Sequence, residues 1–81
     1  MPSPPAPLSA ATTEFGGRVR ARRNELGLTQ EALADRAHLH WTFVGQVERG
    51  RRNLTLHNIL KLAAALNLDA GQLVSRLPRP E

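Results

Sequence analysis

The chain has no cysteine, only one tryptophan and one lysine, and no apolar run approaching membrane-spanning length. Without cysteine there is no disulfide and no thiolate zinc site to supplement the core. The three histidines, His38, His40 and His57, lack cysteine or carboxylate neighbours at ligand spacing, so neither a metal nor a cofactor is expected. No nucleophile–base set and no phosphate-cradling glycine loop is present, which argues against an enzyme. Strand alternation and internal repeats are also missing.

What is there fits one small helical domain. At 81 residues the chain makes one domain. A domain of this size buries only about 60% of its unfolded surface, so a helical bundle or an oligomer is favoured. The formal charge is +4, with eleven basic and seven acidic residues, and Lys61 is the only base that is not arginine. Arginine bonds phosphate and guanine in a planar, bidentate fork, which suits a nucleic-acid partner. Codon bias in a GC-rich genome gives the same enrichment and stays open as the alternative. The opening segment carries no basic residue before Arg18 and no continuous apolar core, so it does not read as a secretory signal. A cytoplasmic protein is expected.

Residues 1–12 hold four of the six prolines and are expected to form a disordered tail. The folded domain is expected over 13–77, with a short C-terminal tail over 78–81. A first helix is predicted over Glu14–Leu26, capped by Thr13 and ended by Gly27. Its RVRARR run places Arg18, Arg20 and Arg22 on a basic face, either near a phosphate backbone or simply solvated. Thr29 caps a second helix over Gln30–Ala37. His38 makes the turn, and a third helix begins at His40 or Trp41 and runs to Arg49, before Gly50. Thr55 caps a fourth helix with Leu56, Ile59, Leu60, Ala63 and Leu66 on its inner side. Asp69 and Gln72 open a fifth helix reaching Leu77, stopped by Pro78 and Pro80. The fold class is therefore all-α, a five-helix bundle.

The second and third helices meet the requirements of a helix-turn-helix. Ala34 allows close approach, while Leu33, Ala37, Leu39, Val44 and Val47 lock the pair to the core. The segment GLTQEALADRAHLHWTFVGQVERGRRNLTLHNILKLAAALNL resembles the Cro/phage-repressor type of helix-turn-helix family, also called the xenobiotic-response-element family. The glycine, the threonine–glutamine pair, the ERG at the end of the third helix and the leucine-rich fourth helix carry the resemblance, which covers about Phe15 to Leu77. Within that family the chain is most similar to small stand-alone controller proteins of restriction-modification systems. Departures are His38 in place of the turn glycine, His40 in place of the capping Ser/Thr, and the bulky Trp41 and Phe43.

The resemblance implies a λ-repressor-like domain binding double-stranded DNA as a homodimer, autoregulatory, with RNA polymerase as a further partner. An antitoxin, a phage-type repressor, or an adaptor that has lost DNA binding are the alternatives. Base contacts are expected from Trp41, Thr42, Gly45 and Gln46. Trp41 falls outside the inward arc of Leu39, Val44 and Val47, which favours an exposed indole over a core one. Gly45 costs about 1 kcal/mol in mid-helix, offset by deeper seating in the groove or by close helix packing. Phosphate contacts are expected from Gln30, at a helix N-terminus, and from Arg49, Arg51, Arg52 and Asn53. Glu48 sits in the last turn of the third helix, where the dipole disfavours a carboxylate, and the family pattern supplies Arg23 as its partner. Leu73, Val74 and Leu77 are candidates for the dimer interface, or else only cap the monomer core.

Overall fold

A computed structural model describes residues 5–79. Five helices follow in order: α1 (Ala10–Glu25), α2 (Gln30–Ala37), α3 (Trp41–Glu48), α4 (Leu56–Ala65) and α5 (Ala70–Val74). No strand occurs among the described residues, and none of these helices is long and apolar enough to cross a membrane. Phe15 and Val19 of α1, Leu33, Ala34 and Ala37 of α2, Val44 and Val47 of α3, Leu62 and Ala63 of α4 with Leu66 at its C-terminal cap, and Leu73 of α5 close one core.

Local chemistry sets most boundaries. Thr29 Oγ1 accepts from Ala32 N at 3.0 Å and Thr55 Oγ1 accepts from Asn58 N at 3.1 Å, so both threonines cap as expected. His38 takes the left-handed conformation at φ 55°, and Asn67 does the same after α4 at φ 54°. Asp69 Oδ2 accepts from Gly71 N while Gln72 Oε1 accepts from Asp69 N, which opens α5.

Three expectations about helix bounds and phase need correction. First, α1 begins at Ala10, not Glu14. Ser9 Oγ accepts from Thr12 N and Thr12 Oγ1 accepts from Ser9 N, both at 3.1 Å, a reciprocal cap that overrides the proline-rich composition before it. The expected disordered tail is therefore too long: Leu8 N already donates to Gly50 O at 2.9 Å. Residues 1–4 of that tail lie outside the described residues. Second, α5 stops at Val74, because Ser75 is extended and Arg76 has φ 57°; of the two prolines expected to stop it, Pro80 lies outside the described residues. Third, the inner stripe of α4 is Ile59, Leu62, Ala63 and Leu66, which turns Leu56 and Leu60 outward.

Helix α1 serves as the frame for the other helices. Gly16 lies flat against the end of α3: a Cβ there would collide with Val47 O and stand 2.9 Å from Glu48 O. Arg18 donates to Leu73 O at 3.3 Å and Ser75 O at 2.7 Å, while Arg22 Nε donates to Leu66 O at 3.0 Å. Both arginines thus satisfy carbonyls left free where α5 and α4 end. They are therefore not simply solvated, one of the two roles expected for them.

Candidate nucleic-acid interface

Three contacts fix the orientation of α3. At its start, His40 Nδ1 accepts from Thr42 N at 3.1 Å. A backbone N–H can only donate, so Nδ1 is the bare nitrogen and the ring proton sits on Nε2. The Thr42 hydroxyl lies 2.6 Å from the same nitrogen. Histidine thereby does the work of the usual Ser or Thr cap. At its end, Arg49 and Gly50 close the helix, Gly50 at φ 74° with no room for a Cβ beside Thr13. Gly50 O accepts from Leu8 N and from Thr12 Oγ1 at 2.8 Å, so the start of α1 is pinned to the end of α3.

Between these ends, Arg23 and Glu48 form a bidentate pair, with Nε–Oε2 at 2.7 Å and a second nitrogen on Oε1 at 2.9 Å. The Glu48 side chain is only 3% exposed. Its hydrogen bond raises the Arg23 pKa against the opposing effect of burial, and the attraction of the two charges adds to it. Arg23 also donates to Leu28 O at 2.9 Å, and Gln30 Nε2 donates to Glu48 Oε1 at 3.2 Å. Helices α1, α2 and α3 are therefore joined at one buried carboxylate.

The outward face of α3 carries Trp41, 53% exposed, and the exposed Thr42. The indole stacks on the His40 ring, with centroids 5.9 Å apart. Gln46 lies one turn further and is half-buried. Gly45 is buried beneath side chains rather than helix backbone: a Cβ there would meet Gln30 Oε1 at 3.4 Å and the Arg49 guanidinium at 3.6 Å. Two side chains roof the glycine and can leave it open only by moving. Gln30, expected to face a phosphate, turns its amide inward to Glu48 instead. Arg49 and Asn53 are exposed, and Arg51 is half-buried beside them. Arg52 behaves differently: its guanidinium carbon stands 5.3 Å from the centre of the Phe43 ring and its Nε donates to Gln46 Oε1 at 2.7 Å. That bond was not visible in the sequence. A six-residue separation crossing a helix end leaves no periodic signal.

The residues expected to pair two copies divide between core and surface. Leu73 is fully buried in the monomer and is not available to a second chain. Val74 is exposed and Leu77 half-buried. Leu56, at 68% exposure, and Leu60 stand four apart on the outside of α4, where sequence reasoning placed core residues. Apolar residues recur at helical spacing on both sides of α4, so periodicity carries no signal that Leu56 and Leu60 point away.

The family profile described as helix-turn-helix matches residues 19–73. The chain belongs to the helix-turn-helix family. The similarity reaches Control protein C.SmaI of Serratia marcescens, 47% identical over 58 residues, 72% of this chain and 69% of the relative. Among solved structures, the restriction-modification controller protein C.AhdI from Aeromonas hydrophila superposes with a TM-score of 0.77 at 48% identity, covering 79% of this chain and 97% of that one. A point mutant of the controller protein C.Esp1396I, bound to its highest-affinity operator site, superposes with a TM-score of 0.71 at 31% identity over 75% of this chain and 80% of its own. The resemblance to controller proteins read from the sequence therefore holds. Family membership, an exposed α3 and the arginines after it make this helix-turn-helix protein a DNA-binding regulator.

Proposed function

We propose that the chain is a homodimeric controller protein that binds a two-fold-repeated operator and regulates its own transcription unit. The observation that carries this reading is α3 itself: held by three structural contacts, it leaves Trp41 and Thr42 exposed, with Gln46 one turn on and Arg49, Arg51 and Asn53 following. In this reading α3 enters the major groove. Trp41, Thr42 and Gln46 meet base edges, and Gly45 lets the helix seat deeply once Arg49 and Gln30 swing off it. Arg49, Arg51, Asn53 and the N-terminus of α2 at Gln30 take phosphates on either side. Leu56, Leu60, Val74 and the half-buried Leu77 supply the apolar contact between two copies. Their two α3 helices would occupy successive major grooves about 34 Å apart. The protein acts in the cytoplasm, at the nucleoid, and a bound dimer beside a promoter contacts RNA polymerase.

Selection of bound sites from random duplexes tests this. Two inverted half-sites separated by about one helical turn are expected, with affinity falling steeply as salt rises. A lone half-site sinks the dimer. Failure to retain any duplex at low salt sinks DNA binding and leaves a protein-interaction adaptor.

A further inference from the structure

Gln46 and Arg52 form a unit whose polarity is fixed. Arg52 Nε carries a hydrogen and has no lone pair to offer, so the amide atom 2.7 Å away must be the oxygen, Oε1. That orients the whole amide. Its Nε2 is left on the other branch and has no acceptor among the described residues. The Arg52 guanidinium is steadied from below by the Phe43 ring at 5.3 Å. Its terminal nitrogens, like Nε2, can only donate.

Free glutamine reads adenine by giving one hydrogen to N7 and accepting one from N6. Here the accepting atom already faces a cation. An adenine amino group brought to Oε1 would approach the Arg52 guanidinium, donor against donor. Guanine offers two adjacent acceptors, N7 and O6, in the same groove. We infer that Arg52 is a positioning residue that turns Gln46 into a donor-only reader, so that the pair selects guanine and rejects adenine. The inference rests on the reading of α3 as the element that enters the major groove. It also gives Arg52 a role distinct from that of Arg51, which has no bond to a base-facing side chain.

Site selection with four proteins tests it: the natural chain, Gln46→Ala, Arg52→Ala and Arg51→Ala. The Gln46→Ala protein identifies the base pair that Gln46 reads, as the one position whose preference it loses. At that position the natural chain is expected to favour guanine over adenine by about tenfold or more. In Arg52→Ala the amide is free to rotate, and the ratio should fall toward parity there while the rest of the half-site keeps its preferences. Arg51→Ala should weaken all sequences alike and leave the ratio untouched. A purely structural or phosphate role for Arg52 would likewise lower affinity without moving one base preference, and that result overturns the inference. Adenine preference in the natural chain, or no position responding to Gln46→Ala, also overturns it. These outcomes arise with DNA still bound, so they leave the regulator reading intact. A natural chain that holds no duplex overturns that reading and this inference with it.

Discussion

Gly16 and the Val47 carbonyl are in backbone contact, so α1 and α3 approach more closely there than any side chain would allow. Gly16→Ala must push the two helices apart or distort one of them. Overpacking of this kind costs about 1–3 kcal/mol. Each 1 kcal/mol lowers the melting temperature of a domain this size by roughly 4–8 °C. The neighbouring Gly17 faces open space in the same helix, and Gly17→Ala should instead stabilise by roughly 0.5–1 kcal/mol through helix propensity. Thermal melts of the two variants should move in opposite directions; a shared direction would refute the close-contact account.

Removing one partner of the Arg23–Glu48 pair should cost more. The Glu48 carboxylate is buried and bonded by both Arg23 and Gln30, so Arg23→Ala strands it. Breaking a buried pair from one side typically costs about 3–5 kcal/mol, a large share of the stability of a small domain. Chemical denaturation gives the number. A loss under about 1 kcal/mol would class the pair with ordinary surface salt bridges.

The cap at His40 makes a gentler prediction. His40→Ala removes the acceptor for Thr42 N and should cost about 1 kcal/mol, whereas His40→Ser should recover most of it. Equal melting temperatures for the natural chain and His40→Ala would mean the imidazole contributes nothing at that position.

Leu60→Glu separates the outer face of α4 from the core. Leu60 is exposed in the monomer, so the substitution should leave the helical far-ultraviolet signal intact while shifting sedimentation from dimer to monomer. Leu73→Ala acts on a fully buried side chain and should cost about 2–5 kcal/mol in stability. If Leu60→Glu leaves the oligomeric state unchanged, α4 is not the pairing surface.

How much of this was legible in the chain depends on distance. Turn and cap residues announce themselves within three or four positions, which is why Thr29, His38, Gly50 and Thr55 were readable. The demand of Glu48 for a cation was readable too, since a carboxylate in the last turn of a helix is electrostatically exposed. The Ser9–Thr12 cap was missed because threonine stands where a capping box usually shows Glu or Gln. Arg18 and Arg22 read as a basic face because nothing local reveals that carbonyls 44 to 57 positions away will need donors. The phase of α4 was misjudged because leucines occur on both of its sides, and periodicity cannot rank two apolar faces. Arg52 on Gln46 depends on the path of the chain after Gly50, which no spacing rule describes.

The role of α1 as frame has a consequence for the operator. One helix touches α3 through Gly16 and Arg23 and reaches the ends of α4 and α5 through Arg22 and Arg18. In the proposed dimer the outward face of α3 and the apolar face of α4 and α5 would thus be braced to the same rod. Such a dimer would be a fixed-gauge caliper. An operator with one base pair inserted between its half-sites presents the second groove displaced by about 3.4 Å and turned by about a tenth of a helical turn. A dimer braced in this way would leave the DNA to bend or twist, and tolerance of altered spacing would become a property of the central base pairs rather than of the protein.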